Sequence, residues 1–176
     1  MYGALKQLKK EYSVAINMPD KWRIIREAYA ATLPHIMTLS KLNKGASINP
    51  YFINFDFTPI EYGVWMIIRH NGLPFYPQFP LLNYFIDFAN PFLKIGIEAD
   101  GKKWHNKEKD RIRDERLSEI GWKIFRIAGS EVWGSQEEDL SVLVMGAINN
   151  VYFRDEYEDS DLKLLHFHKL AEFDLV

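Results

Sequence analysis

The sequence predicts an α/β domain with a mixed central β-sheet flanked by helices, and three observations predict it. An apolar strand pattern, a charged helix and another strand pattern follow one another between residues 93 and 127, which implies a parallel pair joined by a right-handed crossover. A further strand pattern, N-Y-F-I-D-F, stands just before them across a short turn, and strands joined so closely pair antiparallel. The composition, 47% hydrophobic, 15% aromatic and 26% charged over 176 residues, suits one well-buried core and is short for two independent domains.

The elements follow in order. Residues 1–31 read as one or two helices, the second running from Lys21 to Ala31 with Trp22, Ile25, Ala28 and Tyr29 on one face, a stripe expected in the core. From 34 to 57 the breakers Pro34, Gly45 and Pro50 surround an aromatic cluster, Tyr51 to Phe57, to which no element is assigned. At Thr58 the run T-P-I-E supplies a hydroxyl N-cap, proline at the first helical position and glutamate three after the cap, so a helix is expected from Pro59 to about His70. Asn71-Gly72 ends it, and a stretch punctuated by Pro74, Pro77 and Pro80 leads to N-Y-F-I-D-F, whose aromatic and branched residues favour a strand.

Asn90-Pro91 marks a turn into L-K-I-G-I-E-A-D, a strand whose alternation sends Lys94, Gly96, Glu98 and Asp100 to one face and Leu93, Ile95, Ile97 and Ala99 to the core. A charged helix is expected from about Glu108 to Ile120 with Gly121 at its C-terminal cap. W-K-I-F-R-I-A is then a strand, and another helix is expected from about Glu137 to Asn149. No internal repeat is visible. The expected division is an N-terminal helical extension over 1–55, a core over 56–150, and an acidic segment over 151–176 packing on that core.

Charge and composition narrow the function classes. The formal net charge of -2 conceals an uneven distribution: 8 Lys/Arg against 3 Asp/Glu in residues 1–50, 9 against 5 in 102–126, and 3 against 11 in 131–176. Two basic segments around an acidic cluster suit a polyanion held by Lys and Arg while one of its phosphates meets a metal, although solvated helix faces and an acidic tail give the same counts. The chain has no cysteine, which excludes disulfides and thiolate zinc sites and leaves oxygen or imidazole as metal ligands. No apolar stretch approaches a membrane span and no leader is apparent, so a cytoplasmic protein without membrane contact is expected.

The chemistry concentrates near the end of the second strand. Glu98 and Asp100, two positions apart, project from one face with Cα atoms about 7 Å apart at a rise of roughly 3.3 Å per residue. Asp87 on the neighbouring strand shares that face if the hairpin turn centres between Phe92 and Leu93, or one residue earlier. Three carboxylates would then converge, each raising the proton affinity of the others until a cation neutralises them, and Mg²⁺ accepts such an oxygen shell. Any one of these acids alone reads as a solvated strand residue. Acids on adjacent strands, set among apolar residues and followed at once by G-K-K-W-H, are harder to explain that way.

These motifs carry a resemblance. T-P-I-E-Y-G-V-W, Y-P-Q-F-P, I-D-F, I-E-A-D-G-K-K-W-H and D-R-I-R-D-E-R-L-S-E-I-G-W-K-I-F-R-I occur in the order seen in the very-short-patch-repair (Vsr)-like branch of the PD-(D/E)XK nuclease superfamily. The segment from Thr58 to Val132, about 75 of the 176 residues, resembles that branch. The resemblance implies a restriction-endonuclease-like fold with an α-β-β-β-α-β core, and a Mg²⁺-dependent endodeoxyribonuclease for which Mn²⁺ can substitute. It implies Asp87 as main metal ligand with Glu98 or the Ala99 carbonyl beside it, and His105 as general base or phosphate donor. Glu61 would reach in from the helix, and Asp110 would orient His105 or a metal-bound water. Asp100 stands where a superfamily lysine often stands, and an aspartate there is restricted to metal binding or base work.

Gln78 is a candidate for lining the site, and Lys102, Lys103, Lys107, Arg111 and Arg113 are candidate phosphate contacts. Each has a plainer alternative: a capping carboxylate for Glu61, a helix-dipole partner for Asp110, a surface residue for His105, solvated charges for the rest. The expected partner is double-stranded or branched DNA, with a homodimer left open along with one or two metal ions. Competing readings are a nuclease-fold DNA-binding or interaction module without turnover, and a structural subunit of a phage or mobile-element machine. Mismatch-directed nicking, homing, restriction and junction trimming share this chemistry, and the absent cysteines count against the first, whose members carry a structural zinc site.

Overall fold

The computed structural model describes residues 2–43, 49–53, 55–70, 73–100 and 107–129. Helices α1 (Tyr2–Val14), α2 (Met18–Asn43) and α3 (Pro59–His70) precede strands β1 (Tyr76–Leu81), β2 (Tyr84–Asn90) and β3 (Ile95–Asp100), and helix α4 (Lys107–Glu119) leads to β4 (Lys123–Ala128). The four strands lie in chain order, β1-β2-β3-β4, antiparallel up to β3 and parallel between β3 and β4. This mixed sheet flanked by helices is the architecture expected, in the α-β-β-β-α-β order of a restriction-endonuclease-like fold. The helix expected over 137–149, the acidic segment over 151–176 and residues 101–106 lie outside the described residues. Among the described residues no helix is long and apolar enough to cross a membrane.

Each face of the sheet covers its own core. On one, Val64, Trp65, Ile67 and Ile68 of α3 pack on Phe88, Ile95, Ile97 and Ile127, and Trp65 stacks on Phe88 at 5.7 Å. On the other, Ile24, Ile25, Ala28, Tyr29 and Ile36 of α2 and Leu117 of α4 meet Phe79, Ile86 and Ala89. Helices α1 and α2 therefore share a core with β1, β2 and α4. Gly96 is buried between strands because it has no side chain: a Cβ there would lie 2.7 Å from both Ile124 Cδ1 and Ile86 Cγ2.

Several elements match their sequence signals. The capping box forms as read, with Thr58 N–H donating to Glu61 Oε2 at 2.9 Å and Glu61 N–H to Thr58 Oγ1 at 3.3 Å. Helix α4 closes in a paired C-terminal motif: Gly121, at φ 82°, donates to the Ser118 carbonyl at 2.8 Å and Trp122 to the Leu117 carbonyl at 2.9 Å.

Three expectations are corrected. Pro34 lies inside α2 rather than ending it; it is exposed, and so is Ala30, whose carbonyl loses its helical donor and is left to water. Trp22 is 45% exposed and not in the core, stacking instead on the half-buried Phe85. The stretch from Tyr76 to Leu81 is a strand despite Pro77 and Pro80, since β1 ends the order of the sheet and a strand there can lack donors on its outer side.

Candidate active site

The β2–β3 hairpin sets the register that the site depends on. Ala89 pairs with Gly96 and Phe88 with Ile97, so the turn centres between Phe92 and Leu93 and the count continues to Asp87 opposite Glu98. Asn90 builds the turn by accepting the Phe92 and Leu93 N–H groups on its Oδ1 at 3.1 and 3.0 Å. Past the Phe88–Ile97 pair the backbone ladder stops, and the Asp87 carboxylate takes over: its Oδ2 accepts the Ala99 N–H at 2.8 Å.

The other flank of Asp87 is also irregular. Partner pairs between β1 and β2 run through Tyr76–Pro77 and resume at Phe79, leaving Gln78 and Asp87 between the two runs. Gln78 adopts φ 46°, a left-handed conformation rare for a side-chain-bearing residue, and its amide Nε2 donates to the Asp56 carbonyl. Tyr76 and Phe79 consequently both face the α2 core, and so do Ala89 and Ile86 opposite them.

Glu98 is buried, its side chain only 7% exposed, and its Oε1 lies 3.3 Å from Arg113 Nη2 of α4. That approach is not aligned as a hydrogen bond, so Glu98 Oε1 and Arg113 Nε are both buried without a hydrogen-bond partner among the described residues. Burial first, and then the Asp87 charge, push the Glu98 carboxyl well above the usual carboxylate range, against the opposing pull of Arg113 and Arg126. Asp87 is raised as well, again by burial first, with the Ala99 N–H pulling down and Glu61 and Asp100 pushing up. Two acids that resist joint ionisation at one spot are chemically equipped to receive a cation.

The structure brings some predicted residues together and separates others. Asp87 and Glu98 meet across the strands. Asp100 adds its charge to both but turns its Oδ2 toward Arg126 Nη1 at 3.4 Å. Among the described residues no three His, Cys, Asp or Glu side chains form a group able to hold a metal ion. Glu61 is the capping carboxylate and is also near enough to raise Asp87. Asp110 is half-buried on α4, and exposed Arg111 pairs with Glu115 one turn on, while Arg113 faces Glu98. Lys102, Lys103 and His105 lie outside the described residues, and Lys107 opens α4 with its side chain outside them too.

Arg126 was missed by reading the residues. It sits on β4 opposite Glu98, and its Nη2 donates to both carboxylate oxygens of Asp114 at 2.7 Å. The available signal was a single cation in the apolar strand I-F-R-I, parallel to the strand that carries the acids.

Residues 61–145 match a family described as REase_MTES_1575, a restriction-endonuclease-like family, and the match spans Asp87, Glu98 and Arg126. An uncharacterized protein of Haemophilus influenzae is 33% identical over 95 residues, covering 51% of this chain and 78% of that protein. The chain belongs to a restriction-endonuclease-like family. A second uncharacterized Haemophilus influenzae protein is 32% identical over 81 residues, 44% of this chain and 52% of that relative, so this restriction-endonuclease-like chain spans about half of its length. No solved structure matches.

Proposed function

We propose that this restriction-endonuclease-like chain is a metal-dependent endodeoxyribonuclease of the Vsr-like kind, cutting double-stranded or branched DNA. The observation that carries the reading is the pair of half-buried Asp87 and buried Glu98 at the point where β2 and β3 part, with Glu98 Oε1 lacking a hydrogen-bond partner among the described residues. Mg²⁺ fits this donor set, because it commonly takes one or two carboxylates and completes its shell with water and substrate phosphate. Asp87, Glu98 and the Ala99 carbonyl would hold it; in an extended strand that carbonyl projects toward the same neighbour as the Ala99 N–H, the side of Asp87. When bound, the ion supplies Lewis-acid polarisation of the phosphate and a more acidic water.

The protein's own groups do the remaining work. The Ala99 N–H fixes the orientation of Asp87, whose other oxygen is directed away from that bond. His105 is proposed as the general base, with Asp110 orienting it. Gln78 and the cations Lys102, Lys103, Lys107 and Arg111 are proposed to hold the DNA on either side.

A second reading has an observation in its favour. Arg113 faces Glu98 and Arg126 faces Asp100, so guanidinium groups already offset part of the acidic charge, as they would in a module that binds DNA without cutting it. Supercoiled plasmid incubated with the chain in Mg²⁺, in Mn²⁺ and in EDTA separates the two. Nicking that requires the metal and disappears in Asp87→Asn, with DNA affinity retained, is expected. Binding without metal-dependent nicking supports the inactive module, and unimpaired cutting by Asp87→Asn refutes the assignment.

A further inference from the structure

A row of charge runs from the acid pair across β3 to β4 and α4. On β3 stand Glu98 and Asp100; on β4, opposite Glu98, stands Arg126; on α4, Asp114 holds Arg126 and lies 3.6 Å from Arg113 Nε. The guanidinium of Arg126 is neither a loose surface group nor a closed internal pair. Its side chain is 28% exposed, Nη2 is held by both Asp114 oxygens at 2.7 Å, and Nη1 only touches Asp100 Oδ2, at 3.4 Å.

Geometry separates the two contacts. The Asp114 contact has the short length of a strong charge-assisted bond, while the Asp100 contact lies beyond the usual range for such bonds. A guanidinium carries five N–H donors, and the described contacts engage only Nη1, once, and Nη2, shared between the two Asp114 oxygens. Arg126 is thus fixed from the helix side and weakly held from the site side, with donors to spare beside the carboxylates. A planar cation anchored in this way is suited to a phosphate oxygen, which can displace the weak Asp100 contact and accept two N–H groups together.

We propose that Arg126 is a catalytic residue that binds the phosphate being cleaved, and that Asp114 is the positioning residue that aims it. The proposal rests on the nuclease reading and adds the group that meets the negative charge developing on the phosphorus oxygens. The acids cannot do this, and the carboxylate at position 100 cannot either.

The test uses the full chain. On an Asp87→Asn background in EDTA, DNA affinity is measured by fluorescence anisotropy at several salt concentrations, with and without Arg126→Gln. Loss of one phosphate contact should make the slope of log affinity against log salt shallower by about 0.9. In the otherwise native chain with Mg²⁺, Arg126→Gln should lower kcat roughly 100-fold, the scale of removing one donor to a developing oxyanion. Asp114→Asn should keep the salt slope and KM while lowering kcat, and Asp114→Glu should recover part of it; a purely structural role would move the melting temperature instead. If Arg126→Gln does not fold, Arg126→Lys should keep the slope and cut at least about tenfold slower, since an ammonium cannot reproduce the planar fork.

An unchanged slope together with native kcat in Arg126→Gln overturns the proposal, and so does native kcat in Arg126→Lys. If the Asp87→Asn chain binds DNA, such results sink this proposal alone. If it has no affinity for DNA at all, the nuclease reading falls and takes this one with it.

Discussion

Replacing Glu98 by glutamine should stabilise the metal-free protein, an unusual outcome for a buried charged residue that an arginine faces. Glu98 titrates near 4.5 in an open chain and is pushed up to about 8 in the fold, with burial the largest cause and Asp87 the next. The native state therefore holds a proton that the unfolded chain has released. The resulting stability is complete below about pH 4.5 and is lost as pH rises through about 8. Between those values each pH unit costs about 1.4 kcal/mol, so at pH 7 the penalty is about 3 kcal/mol. The Asp87 penalty does not add in full, because removing one charge relieves the other. For a chain of this size, about 3 kcal/mol corresponds to a melting-temperature rise of roughly 6–12 °C. The assay is thermal unfolding of wild type and Glu98→Gln in EDTA from pH 5 to pH 8.5. The two should converge near pH 5 and separate toward pH 8, with the variant higher. If Glu98→Gln melts at or below wild type at pH 8, the Glu98–Arg113 ion pair outweighs burial and the Asp87 charge, and the acid pair is not held against its own repulsion.

Other perturbations test different parts of the structure. Because both raised acids must release protons before a cation enters, the Mg²⁺-induced rise in melting temperature should grow from pH 6 to pH 8; an equal or falling increment would contradict the pH direction given for Asp87 and Glu98. Gly96→Ala should destabilise by about 1–3 kcal/mol through overpacking, and Ile124→Val, which deletes the clashing Cδ1, should recover part of that in a double-mutant cycle read by urea unfolding. Thr58→Ala should cost about 1 kcal/mol through loss of the α3 cap, visible as a lower urea midpoint.

How much was legible depended on whether a signal was local. The start of α3 follows from two side chains, Thr58 and Glu61, each accepting the other's backbone N–H, so T-P-I-E fixes it without reference to the rest of the fold. The same holds for the hairpin: Asn90 makes its turn bonds to the next two or three residues, and the turn centre decides by arithmetic that Asp87 lies opposite Glu98. Pro34, Trp22 and β1 failed for the opposite reason. A proline in a helix is tolerated when its face is exposed, an aromatic leaves the core to stack on a half-buried ring of β2, and prolines sit in a strand whose outer side needs no donors. Each of these depends on a neighbour that the local sequence does not name. Arg126 belongs with them, since its meaning comes from Asp114 on α4, twelve residues earlier in the chain.

The irregularity around Asp87 links fold to chemistry. A regular ladder would spend the Ala99 N–H on a backbone carbonyl of β2 and leave Asp87 as one more cross-strand side chain. With the ladder stopped at Phe88–Ile97, the carboxylate must itself satisfy the Ala99 N–H, which an unpaired buried donor would otherwise leave at a cost of about 1–3 kcal/mol. That bond pins one oxygen and pulls Asp87 toward ionisation, while burial and Glu61 push the other way. The left-handed turn at Gln78 keeps β1 from closing the same gap from the opposite side. The distortion therefore does two things at once: it parts the strands at one point, and it aims an acid there whose charge the protein alone does not fully satisfy.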